Sequence, residues 1–177
     1  MKSKGHSLWL MSTEQANEKF VNLVKKLAKE NNAPVFQPHV TLLGDFMFPE
    51  EECVAKTKQL VSGQQPFTVK LGEIDYEDFY FRTLFVRAEK SEPLLALNNR
   101  ARGIFQMQNT PPFMPHLSIL YGIFPVETKE KIIKEIGRDQ SAELEVNKVT
   151  LVKGGEIKDW QIIGEFEFTP TSEVETY

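Results

Sequence analysis

Pro38-His39-Val40-Thr41-Leu42-Leu43 and Pro115-His116-Leu117-Ser118-Ile119-Leu120 are the two stretches that decide how this 177-residue chain reads. They agree by class at six consecutive positions: proline, histidine, aliphatic, hydroxyl, aliphatic, leucine. Two of only three histidines lie in them. Their apolar and β-branched content predicts short strands. Side chains alternate across a strand, so His39 and Thr41 share one face while Val40 and Leu42 share the other, and His116 with Ser118 does the same. Each strand then buries an aliphatic pair and presents one imidazole beside one hydroxyl.

Working outward, the same order of elements surrounds both stretches. His6 to Met11 reads as a strand, and Ser12-Thr13-Glu14-Gln15 offers a capping box for a helix whose stripe is Phe20, Leu23, Val24, Leu27 and Ala28. Asn31-Asn32-Ala33-Pro34 ends it. After the first histidine strand, Pro49 and Glu50-Glu51-Glu52 open a second helix toward Ser62-Gly63, since proline suits a first turn and carboxylates suit the positive end of the helix dipole. Phe67–Ile74 and Phe79–Ala88 read as strands. Ser91-Glu92-Pro93 starts a third helix, the second histidine strand follows, Gly137 closes a fourth helix, and Leu144–Lys153 and Trp160–Phe168 finish as strands. No linker separates the halves, so residues 1–177 are expected to form one domain of two similar lobes.

Composition narrows the classes of function. Lys and Arg number 21 against 25 Asp and Glu, a net charge of −4, which gives no general attraction to nucleic acid or to an anionic membrane. The single cysteine, Cys53, makes neither an intrachain disulfide nor a cysteine zinc site. The apolar run Leu8-Trp9-Leu10-Met11 is far too short for a membrane span. A soluble, cytoplasmic, monomeric protein is expected.

If an approximate two-fold axis relates the lobes, the two polar strand faces meet across a cleft with an imidazole on each side. That arrangement suits in-line displacement at phosphorus, where the attacking and leaving oxygens lie on opposite sides. One neutral imidazole takes a proton from water, and one imidazolium protonates the departing oxygen. Thr41 and Ser118 are placed to donate hydrogen bonds to the non-bridging oxygens. The competing readings are two satisfied strand histidines, which the duplication disfavours, and a metal site, which lacks a third ligand and any H-E-x-x-H or C-x-x-C. No metal or cofactor is expected.

With its paired H-x-T and H-x-S motifs the chain resembles the two-histidine phosphoesterase superfamily. The flanks His39-Val40-Thr41-Leu42-Leu43-Gly44 and Pro115-His116-Leu117-Ser118-Ile119-Leu120-Tyr121-Gly122 are most similar to the cyclic phosphodiesterases of plants and fungi. The resemblance implies a bilobal, duplicated α+β fold, with two antiparallel sheets flanked by helices around a central cleft and pseudo-two-fold symmetry. It implies metal-independent ring opening of nucleoside 2′,3′-cyclic phosphates or of ADP-ribose 1″,2″-cyclic phosphate. His39 and His116 correspond to the acid–base pair, and Thr41 and Ser118 to the phosphate ligands. Trp9, Phe81 and Tyr121 correspond to aromatic side chains of the cleft. Trp9 and Phe81 would stack a base or close over the ribose, with core packing as the alternative. Strict alternation faces Tyr121 away from the site unless the strand ends or bulges, which Gly122 permits. Superfamily members that process RNA ends supply a second enzymatic reading, which the acidic charge balance disfavours, and a non-catalytic nucleotide-binding module a third. Plant members carry further cysteines, so control by an internal disulfide is not available to this chain. His6 has no hydroxyl two residues on and is expected to be incidental.

Overall fold

A computed structural model of the chain describes residues 1–11 and 15–170. The elements are β1 (His6–Leu10), α1 (Gln15–Asn31), β2 (Val40–Phe46), α2 (Glu50–Val61), β3 (Phe67–Asp75), β4 (Leu84–Ala88), α3 (Glu92–Ile104), β5 (His116–Leu120), α4 (Val126–Ile136), β6 (Asp139–Val146), β7 (Lys148–Lys153) and β8 (Gln161–Glu167). The fold is α+β. The capping box read at Ser12–Gln15 lies outside the described residues. Along α1 the stripe buries Phe20, Val24, Leu27 and Ala28, and the chain leaves the helix through Asn32 in the left-handed region. Gly137 caps α4 with its N–H on the Ile133 carbonyl.

Three local expectations are corrected. Phe79–Ala88 is not one strand, because a single 3₁₀ turn at Tyr80–Arg82 precedes β4. Thr83 locks that turn by donating its hydroxyl to the Gly122 carbonyl, and the Gly122 N–H donates to the Tyr80 carbonyl at 3.0 Å. Leu144–Lys153 divides at Asn147 into the end of β6 and all of β7, which lie in opposite halves of the sheet. Ser91 does precede α3, but its hydroxyl makes no capping bond and is buried without a partner among the described residues.

All strand pairs are antiparallel and form one eight-stranded sheet in the order β6-β3-β4-β5-β2-β1-β7-β8, not two sheets. The junction is narrow: β2 and β5 share the single register pair Val40–Leu117, which joins two four-stranded halves. One half joins strands from both ends of the chain, and the other is built from the four consecutive central strands β3 to β6. β7 and β8 extend the half of β1 and β2, while β3 hairpins onto β4 and carries β6. Helices cross the same way, with α1 packed on β5 and β6, and α3 on β2. Val40, Leu42, Leu117 and Ile119 all sink into the main hydrophobic core, as the alternation requires. No helix among the described residues is long and apolar enough to cross a membrane.

Asn98 of α3 ties the core to the first histidine strand, its buried amide donating to the Leu42 carbonyl at 2.7 Å. Asn98→Ala removes that donor in a site closed to water. It is expected to lower unfolding stability by about 1–3 kcal/mol, measured by urea denaturation at neutral pH.

Candidate active site

The Val40–Leu117 pair fixes what lies on the opposite face of the sheet. With antiparallel register, His39 is level with Ser118, and Thr41 is level with His116. Neighbouring strands extend the two rows, since Trp9 pairs with Thr41, Arg87 with His116, and Phe85 with Ser118. Both histidines, both hydroxyl residues, Trp9, Phe81 and Tyr121 line one cleft of about 530 Å³.

Both imidazoles are held by the same local device. His39 Nδ1 lies 2.7 Å from the Gln37 carbonyl, and His116 Nδ1 lies 2.8 Å from the Met114 carbonyl. A carbonyl only accepts, so Nδ1 carries the proton in each ring and Nε2 is left as the free nitrogen. The intervening Pro38 and Pro115 fix φ, and a residue before proline is held extended, which keeps each carbonyl two residues back within reach of its ring. Proline at this position of the motif therefore has an orienting role.

The surroundings of the two rings differ. His39 is buried and lies flat on Trp9, with ring centroids 3.6 Å apart and planes 6° apart, and Trp160 meets both rings edge-on. Trp9 thus spends one face on the imidazole, so that face is no platform for a base. His116 is only partly buried and meets the edge of Phe85 at 5.1 Å. Burial pushes His39 down to about 4, against the hydrogen bond to Gln37 and with a further lowering from His116. His116 is also lowered, first by burial; its hydrogen bond to Met114 and the Glu77 carboxylate oppose this, and the Arg82 and Arg87 guanidiniums add to it.

Ser118 is tied to the 3₁₀ turn. Its hydroxyl donates to the Phe81 carbonyl at 2.8 Å, so its proton is committed within the protein. Tyr121 turns into the cleft because β5 ends at Leu120 and Gly122 follows at φ 144°, where an added Cβ would run into the Phe124 ring. There Tyr121 stacks on Phe36 at 3.7 Å and lies against Ser118, and burial raises its phenol far above the ordinary range. Phe81 stands partly exposed on the 3₁₀ turn, edge-on to Tyr121 at 5.2 Å. His6 is outside the cleft, buried against Phe46 with neither ring nitrogen partnered among the described residues.

Sequence reasoning passed over Trp160, Arg82 and the N-terminal arm Met1–Lys4, all of which line the cleft. Trp160 is bound to the arm through its indole N–H, which donates to the Ser3 hydroxyl at 2.9 Å. No periodic signal marks these residues. Strict alternation even sends Arg82 to the face opposite Phe81, and only the 3₁₀ turn brings both into the cleft.

The cleft thus holds two like-anchored imidazoles on adjacent strands of an antiparallel sheet. The family model of the 2′-5′ RNA ligase superfamily matches residues 13–157, and the chain belongs to that superfamily of two-histidine phosphoesterases. The cyclic phosphodiesterase of Arabidopsis thaliana is 25% identical over 130 residues, 73% of this chain and 72% of that protein. TT0787 of Thermus thermophilus shares the fold with a TM-score of 0.65 at 20% identity, covering 96% of this chain and 99% of that one. E. coli LigT complexed with 3′-AMP gives 0.64 at 15% identity, with the same coverage.

A histidine whose pKa is depressed by folding binds fewer protons in the native state than in the unfolded state. Its contribution to stability is therefore full above the ordinary value of 6.5 and is lost as pH falls toward about 4. Urea unfolding is expected to show wild-type stability dropping by about 3 kcal/mol from His39 across that window. His39→Asn should flatten the slope.

Proposed function

We propose that this protein is a cyclic phosphodiesterase that opens nucleoside 2′,3′-cyclic phosphates, or ADP-ribose 1″,2″-cyclic phosphate, to phosphomonoesters without a metal ion. Two imidazoles with matching Nδ1 anchors, facing one cleft from neighbouring strands, carry this reading. A phosphate between them has one Nε2 toward the incoming water and the other toward the departing ring oxygen. Water oxygen bonds to phosphorus as the P–O bond of the ring breaks. The water proton passes to one Nε2, and the other imidazolium gives its proton to the alkoxide. Both ends of the displacement are served by protons, so a Lewis acid is not needed.

The different surroundings divide the roles. His39, enclosed by Trp9 and Trp160 and held neutral by burial, suits the base. His116 is more open to solvent than His39, which suits the acid. A phosphodiester anion in the cleft raises both rings, since a nearby negative charge stabilises imidazolium. Binding the substrate thus supplies the charge that the acid needs.

Incubating the EDTA-treated protein with adenosine 2′,3′-cyclic phosphate and following products by phosphorus NMR tests the proposal. Turnover to a monoester supports it; binding without turnover leaves a nucleotide-binding module instead. His39→Ala and His116→Ala are each expected to lower kcat by about 10²–10⁴-fold, and near-wild-type rates in either would end the mechanism. The pH profile of kcat/KM should be a bell centred on the acid side of 6.5, because both rings are lowered in the free protein. The kcat bell should lie at higher pH, because bound phosphate raises them.

A further inference from the structure

We propose that Arg82 is an anion-binding residue of the cleft, its guanidinium taking non-bridging phosphate oxygens on the His116 flank. The inference rests on the phosphoesterase reading of the site. It starts from a shortage: Ser118, the donor expected on that flank, has given its only proton to the Phe81 carbonyl. The next residue in the chain after Phe81 is Arg82, which lines the same cleft as His116 and Ser118.

Its side chain is held in advance. Arg82 Nε lies 2.8 Å from a Glu77 carboxylate oxygen as an ion pair, without hydrogen-bond geometry, and the guanidinium lies over the Phe79 ring at 4.9 Å. The backbone closes the same loop, with Glu77 N–H on the Arg82 carbonyl at 3.0 Å and Arg82 N–H on the Phe79 carbonyl at 2.9 Å. Lys129 of α4 secures it from below: its side chain is 1% exposed, and Nζ donates to the Glu77 carbonyl at 3.0 Å and to the Asp78 carboxylate. A lysine so enclosed is costly unless paired, and here both hydrogen bonds of its ammonium fall on the loop that carries Arg82.

The two Nη groups of Arg82 have no hydrogen-bonding protein partner among the described residues. A planar guanidinium with both outer nitrogens free, fixed beside a cleft, matches the bidentate geometry of a phosphate. The other cleft cations are weaker candidates. Lys2 is 71% exposed and pairs with Glu156, and Lys4 is exposed on the N-terminal arm. Preorganisation separates Arg82 from them, because less side-chain freedom is lost on binding.

The test is the affinity of inorganic phosphate by calorimetry, alongside KM for adenosine 2′,3′-cyclic phosphate, in wild type, R82Q, R82K and S118A. R82Q is expected to weaken phosphate about tenfold or more and to raise KM to match. R82K should fall between, keeping the charge without the fork, and it decides the matter if R82Q has a lowered melting temperature. S118A should bind phosphate nearly as wild type does. R82Q or R82K binding phosphate within about twofold of wild type, with S118A losing it, would overturn the assignment and return the role to a reoriented Ser118. Phosphate binding that depends on Arg82 in a wild type that never turns over the cyclic nucleotide would support the anion site and sink the phosphodiesterase reading. Unchanged KM in R82Q with normal turnover would do the reverse.

Discussion

One cross-strand pair, Val40 with Leu117, sets everything at the site. Both side chains are nearly inaccessible to solvent and belong to the main core, so the apolar driving force that buries them also fixes the face and register of both strands. A slip of one residue in either strand would bury an imidazole and expose an aliphatic side chain. The functional face is therefore guarded by the stability of the core on the other side, and no polar contact in the cleft has to specify its own geometry.

Above that pair the protein uses one short device twice. A residue before proline is held extended, proline fixes φ, and the following histidine finds a carbonyl two positions back. The device settles which nitrogen carries the proton in the neutral ring before any substrate arrives. Orientation is local, encoded within three residues; juxtaposition is global and depends on where β2 and β5 sit in the sheet.

This division explains what the sequence made legible. The helices, the two histidine strands and the motif residues followed from periodicity, turn chemistry and the repeat. Strand partners did not, because nothing in the pattern of β7 says that it joins β1, or in β6 that it joins β3. Two sheets were what the family resemblance implied, and one register pair makes them one. Phe79–Ala88 looked like a strand because its apolar spacing permits one; the Thr83 hydroxyl bound to Gly122 holds a 3₁₀ turn there, and that contact joins residues distant in sequence. Ser91 has a side chain suited to capping, yet burial leaves its hydroxyl without a capping bond. Trp9 was legible as a cleft aromatic but not as the support of His39, since only the β1–β2 pairing lays its ring on the imidazole.

The duplication itself stops at the motif. His39 and His116 have the same anchor, the same hydroxyl two residues on and the same aliphatic backing, but one is stacked on indole and the other stands beside Arg82, Glu77 and Arg87. Under the proposed reaction one ring is neutral while the other is charged, and different surroundings enlarge the population of that state by setting the two proton affinities apart. Those surroundings come from outside the repeats, from the 3₁₀ turn and the loop that Lys129 secures on one side and from Trp9 and Trp160 on the other. The repeated strands set two like-anchored rings on neighbouring strands of one cleft, and the unrepeated residues give each ring different surroundings.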